Sequence, residues 1–113
     1  MSRDARRLAA GARRARLTLE MPAETPDVLG GAALAFAPVA TLWARIEARG
    51  GRERIAGAAV EGIIETRITL RWRADLDAGM RFSDGERRFL IRAVFDPDGR
   101  RRDLVCLCEE IMR

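Results

Sequence analysis

Two pairs of carboxylates stand two residues apart in this chain, Asp75 with Asp77 and Asp96 with Asp98. Such pairs bind a cation when further oxygen ligands join them. Each pair here lies in a stretch of turn composition. In Asp96-Pro97-Asp98-Gly99, Pro and Gly take the places a tight turn prefers, and Asp side chains bond the local backbone. The rest of a calcium loop is missing, so both pairs read as turn residues. Cys106 and Cys108 are also two apart, in an apolar run, which puts both on one face of a strand. A disulfide between them would be strained. A metal site would need more ligands, and there is no His and no other Cys. They read as buried structural thiols, which suits a reducing compartment. Ser2 and Ser83 are the only serines, with no His to activate either. The glycine pairs at 30–31 and 50–51 have neither the following Lys nor the spacing of a nucleotide-binding loop.

The charged residues are drawn from a narrow alphabet. All 21 basic residues are Arg, against 17 acidic ones, for a net charge of +4. Lys, His, Tyr, Asn and Gln are absent, which suits GC-rich coding. The lack of His and Lys removes the commonest general base, any Schiff-base amine and the phosphate-binding lysine. No catalytic set remains, so an enzyme is not expected. The positive charge is uneven: Arg3, Arg6, Arg7, Arg13, Arg14 and Arg16 crowd the start of the chain against Asp4 alone. That arm is either a contact for phosphate or an acidic protein, or a solvated lead-in. Arg100-Arg101-Arg102 is a second cluster, which Arg87 and Arg88 on a neighbouring strand would enlarge.

The length of 113 residues and 48% hydrophobic content fit one globular domain. We divide it into an Arg-rich arm, residues 1–14, and a single domain, residues 15–113. Val28 to Ala44 carries no charge, but Gly30, Gly31 and Pro38 interrupt it, so it is not read as a membrane span. Glu20, Glu24 and Asp27 separate it from the basic start, which is the wrong order for a signal peptide. A soluble protein with no membrane partner is expected.

The elements are strands. Thr66 to Arg73 alternates Ile68, Leu70 and Trp72 with Arg67, Thr69, Arg71 and Arg73, the pattern of a half-buried central strand. Leu17, Leu19 and Met21 mark a first strand over Ala15 to Met21, ended by Pro22. Val39 to Ala48 is a second, with Ala40, Leu42, Ala44, Ile46 and Ala48 on one face and Trp43 on the polar one. Met80 to Phe82, Glu86 to Phe95 and Arg101 to Ile111 follow. Asp84-Gly85 signals a tight hairpin, and Phe89, Ile91, Ala93 and Phe95 share a face. The last strand is apolar on both faces. Between these, Pro22 to Pro38 reads as a long loop, as does Arg49 to Glu65. The second holds one short helix, from the helical spacing of Ile55, Ala58 and Ala59. The fold expected is mainly β, a small antiparallel β-barrel or sandwich of about six strands with long loops.

The order of these pieces resembles the head-tail joining proteins of long-tailed phages, also called head-closure or stopper proteins and found in gene transfer agents too. The carriers are R-L-T-L-E-M in the first strand, D-V-L-G-G in the long loop, V-A-T-L-W-A-R-I-E-A, G-R-E-R, the central R-I-T-L-R-W-R, G-M-R-F, F-L-I-R-A-V-F-D-P and the closing D-L-V-C-L-C-E-E. Two features depart from the pattern. Phe36 stands where the family usually has Trp, and the Arg-rich lead-in is longer than usual. The resemblance implies a small barrel assembled as a ring, hexameric or dodecameric, in the neck of a virion or gene transfer agent. It implies an adaptor on the head side, a tail terminator or tail-tube protein on the tail side, possible contact with packaged DNA, and assembly in the bacterial cytoplasm. It implies no enzyme activity, no cofactor and no metal. One long loop would narrow the channel, and the sequence does not choose which. The candidate subunit or partner interface is Trp43, Arg45, Arg52, Arg54, Arg100, Arg101 and Arg102, an aromatic and charges suited to electrostatic docking. The alternative function is a small-barrel nucleic-acid-binding module. The shortage of exposed aromatics for stacking weakens it.

Overall fold

The computed structural model describes residues 14–26 and 32–112. Alternation again organises the chain. In β3 (Ala59–Arg71), Ile68 and Leu70 are buried, Arg67 and Thr69 are half-buried and Arg71 is exposed. The other strands are β1 (Arg14–Pro26), β2 (Ala32–Ala56), β4 (Arg81–Asp84), β5 (Arg87–Phe95) and β6 (Asp103–Met112). All pair antiparallel, and the sheet closes on itself as a barrel in the order β1-β2-β3-β6-β5-β4. Barrel closure, rather than a sandwich, leaves the strands few edges.

The interior is filled by one side chain in two from each strand. Leu17 and Leu19, Leu42 and Ala44, Ile68 and Leu70, Phe82, Phe89 and Ile91, and Leu104, Cys106 and Cys108 form one cluster. The link from β3 to β4 adds Leu76 and Met80. It is tied down by Gly79 N donating to Ile91 O at 2.9 Å and Ile91 N to Met80 O at 2.9 Å. Trp72, just past the end of β3, packs on the same cluster. Burial suits the reading of Cys106 and Cys108 as structural: both are free thiols inside the barrel, and the Cys108 thiol donates to the Cys106 carbonyl at 3.8 Å.

Two expected loops are largely strand. β1 runs through Pro22 to Pro26, and its last residues pair with the start of β2, up to Pro26 opposite Ala32. Residues 27–31 of the expected loop lie outside the described residues. β4 pairs with β1 only from Thr18 to Glu20, so beyond that point β1 is an edge. Proline is tolerated there because its missing N–H faces no partner. The segment from Arg49 to Glu65 is likewise a hairpin arm, with Gly51 opposite Ile64 and Ala56 opposite Ala59.

The expected short helix is therefore absent, and no helix occurs among the described residues. Its place is taken by a two-residue turn, Gly57-Ala58. Gly57 has φ +64° while Ala58 has no positive φ, as the II′ hairpin turn requires. Gly85, φ +56°, plays the same part between β4 and β5. There the central pair is Gly85-Glu86, with Asp84 opposite Arg87.

Three β-bulges reset the pattern. The one between Ile91 and Ala93 reverses the alternation in β5, so Val94 packs on the core and Phe95 is exposed, against the expected face. The others are both in β2, where Val39 is the extra residue facing Leu19/Glu20 of β1 and Arg49 the extra residue between Ala48 and Gly50. The projecting arms lengthen the molecule to 56 × 31 × 25 Å. Its radius of gyration is 15.8 Å, against about 13 Å for a compact domain of about this size.

Candidate interface surfaces

The expected interface residues fall in three separate places. Arg52 and Arg54 project from the outer face of the β2–β3 arm. Glu61 and Glu65 on β3 and Glu109 on β6 lie across from them. Arg52 Nε donates to Glu65 Oε2 at 3.1 Å and Arg52 Nη2 to Glu109 Oε2 at 2.5 Å. Arg54 reaches Glu61 at 3.2 Å and Glu109 at 3.9 Å, and Arg92 on β5 lies 3.7 Å from Glu109. Glu109 is thus shared by three arginines from two strands. The hydrogen bond to Glu65 is the main cause that holds the Arg52 guanidinium more firmly protonated than usual. Beneath this network Ile63 is fully buried although it stands on the outward face, opposite Arg52 and Ile111.

Arg100, Arg101 and Arg102 belong to the turn between β5 and β6, which Asp96 and Asp98 organise. Asp96 accepts from Gly99 N at 3.0 Å and Arg101 N at 2.8 Å, and Asp98 accepts from Arg100 N at 2.9 Å. Arg102 Nη2 donates to Asp98 Oδ2 at 2.7 Å and holds that carboxyl below its usual range. The guanidinium of Arg101 sits 5.2 Å from the centre of the Trp72 ring, and Arg101 itself adopts φ +57°. The carboxylates are used by the turn, as the sequence suggested. Arg87 and Arg88 stand at the other end of β5, so the enlarged basic patch does not form. Arg88 is turned to the carbonyl oxygens of Gly85 and Arg87.

Trp43 and Arg45 occupy the third place, the outer face of β2 beside β1. Trp43 is 56% exposed and lies opposite Arg16; Arg45 lies opposite Arg14 and pairs with Glu47 at 3.7 Å.

A fourth surface feature had no sequence signal beyond its residue types. Arg81 is clamped between Glu20, 2.5 Å from its Nε, and the ring of Phe36, whose centre is 3.9 Å from its guanidinium carbon. Phe36 is on β2, Glu20 on β1 and Arg81 on β4, so the clamp fixes the base of the β1–β2 arm to the barrel. The ring of Phe36 supplies the π face on which the Arg81 guanidinium lies.

The described residues thus form a closed barrel with two hairpin arms, surface ion networks and an apolar core. A model of the phage head completion protein family matches residues 8–111, nearly the whole chain and part of its Arg-rich start. The chain belongs to this family. A chain from the virion of a native gene transfer agent particle is similar in structure, with a TM-score of 0.73 and 27% identity over 87% of this chain and 94% of that one. Protein SF1141 from Shigella flexneri 2a is similar too, with a TM-score of 0.58 and 28% identity over 84% of this chain and 89% of that one. No curated protein matches. Head completion proteins are structural parts of the virion, and this member is one of them, with a β-rich fold and a place in the particle.

Proposed function

We propose that this head completion protein forms a ring between the portal-adaptor complex and the tail. There it closes the DNA-filled head and offers the tail its docking site. The observation that carries this reading is the pair of arms at the two ends of β2, both continuing past the barrel wall. The β2–β3 arm ends in exposed apolar side chains, Ile55 at 77% and Val60 at 63%. A free monomer gains nothing from such projections, whereas a ring uses them to reach neighbours and the channel. In this reading the ring is hexameric or dodecameric and sits on an adaptor. It receives a tail terminator or tail-tube protein, and one arm narrows the channel. The domain of residues 15–113 supplies the ring, and the Arg-rich arm, residues 1–14, meets acidic adaptor surfaces or DNA phosphates. Particles assembled without the protein should contain heads that leak DNA and carry no tails. Tailed, DNA-retaining particles in its absence would overturn the reading.

The exposed Trp43 opposite Arg16 favours a second reading, a nucleic-acid-binding module, because a ring flanked by arginines stacks bases and holds phosphates. A gel shift that weakens steeply with salt and is lost in Trp43→Ala would support it.

A further inference from the structure

The outer wall of the barrel carries a groove of about 430 Å³ lined by Arg49, Arg67, Arg92, Phe95, Leu107 and Glu109. Strand register explains its shape. Arg67 lies opposite Leu107, Leu107 opposite Ala93, and Val105 opposite both Thr69 and Phe95. Leu107 and Phe95 form an apolar floor, 39% and 43% exposed. The rim is basic and unbalanced. Glu109 and Glu65 are engaged by Arg52, and Glu47, across from Arg67, pairs with Arg45. The side chains of Arg49 and Arg67 make no ion pair or hydrogen bond among the described residues. Arg67 Nε is also buried with no acceptor, a costly state for a guanidinium N–H.

The same chain carries the complement. Among the described residues, the exposed carboxylates in no side-chain hydrogen bond or salt bridge are Glu53, Asp77, Asp84, Glu86 and Asp103. Only Asp84 and Glu86 stand together, on either side of Gly85 at the tip of the β4–β5 hairpin. A tight hairpin tip is narrow enough to enter a groove, and its two carboxylates equal the two unpaired arginine side chains in number and are opposite in charge.

We propose that the Asp84–Glu86 turn of one subunit docks in the Arg49–Arg67 groove of the next. This rests on the ring reading above and names one of its subunit contacts. Two different patches meet, so the contact is heterologous, the kind that generates rings. Docking gives the outer edge of the Arg67 guanidinium a carboxylate partner and covers Leu107 and Phe95. An ionic contact of this size is weak alone and sensitive to salt, so it forms where the other subunits are already held in place.

The test is disulfide trapping in assembled particles made with the double variant Arg67→Cys, Glu86→Cys. The native thiols do not compete, being buried. Mild oxidation should give a ladder of linked subunits. The yield should exceed by at least about tenfold that of the control Arg67→Cys, Asp77→Cys, because docked groups experience millimolar effective concentrations. A neck ring seen by electron microscopy without a ladder overturns this contact and leaves the ring reading standing. A neck with no ring of this protein overturns both. If the double-cysteine protein does not enter particles, the charge swap decides. Tails lost in Arg67→Glu and in Glu86→Arg but restored in the combination support the contact. Tails lost in the combination as in the single variants overturn it.

Discussion

Arg87 and Glu110 face each other through two parallel hydrogen bonds, Nε to Oε2 at 2.8 Å and Nη2 to Oε1 at 2.9 Å. They close the end of the barrel opposite the β3–β4 link. Arg87 also lies over the Phe89 ring, 4.8 Å from its centre. The hydrogen bond to Glu110 is the chief reason the guanidinium holds its proton more firmly than usual. Glu110 is only 6% exposed, so it depends on this partner. Arg87→Ala should therefore cost about 1–3 kcal/mol, since it leaves a buried carboxylate unsatisfied. Urea unfolding measures it, and a loss below about 0.5 kcal/mol would show a pair worth no more than an exposed one.

Leu70 is 4% exposed in the middle of the core cluster. Leu70→Ala should destabilise the barrel by about 2–5 kcal/mol through lost burial and the cavity left behind. The same chemical change at Leu107, which is 39% exposed, should cost well under half of that. Equal losses at the two positions would contradict the assigned faces.

Burial pushes the Cys106 thiol up to about 12 and raises Cys108 further. A thiol-specific reagent at pH 8 should label neither in the folded protein and both in urea. Prompt labelling without denaturant would mean that the barrel opens far more readily than its packing implies.

Stability should be nearly flat between about pH 5 and 8, because the chain has no His and its thiols are held protonated. It should fall below about pH 4. The Asp75 carboxyl is held below its usual range by the hydrogen bond from Arg73, and Asp98 by that from Arg102. A carboxyl depressed in the folded state stabilises above its unfolded pKa and loses that contribution as pH falls through its folded value. Asp75→Asn and Asp98→Asn together should shallow the acid limb of a thermal-melt profile. An unchanged limb would place the acid sensitivity elsewhere.

The arms should be the least protected strands of the monomer. From Glu53 to Ala56 and from Ala59 to Glu61, β2 and β3 have only each other, whereas Ile68 to Leu70 has neighbours on both sides. Hydrogen exchange should be much faster in the arm than in the barrel segment, and should slow in assembled particles. Equal protection in the free protein would remove any ordering of the arm on assembly.

Much of this fold was legible in the residues. Alternation located the barrel part of β1, β2 and β3 and most of β5, because a closed barrel buries one side chain in two, and an apolar run located most of β6. The failures have physical causes. Gly50-Gly51 resembled a chain break, yet both lie in β2. Gly51 pairs with Ile64 in an ordinary ladder, and no positive φ at either glycine demands the residue type. Ile55, Ala58 and Ala59 matched a helical spacing by coincidence, and the φ of Gly57 sets a hairpin instead. The bulge in β5 moved Phe95 outward, and nothing in F-L-I-R-A-V-F announces it. The candidate surface was less readable still. Arg52 could be named, but its partners Glu65 and Glu109 are 13 and 57 residues away, and only strand order brings them to it.

Both arms share a single unbroken backbone, since β2 runs 25 residues from one to the other. Drawn straight it would reach ~80 Å, well beyond the 56 Å of the whole molecule, so it is wound around the barrel like a coiled strut. Its bulges are the points where that strut bends. A pull on either arm is carried to the other by covalent bonds and a ladder of backbone hydrogen bonds, with the barrel wall as the rigid sleeve between them.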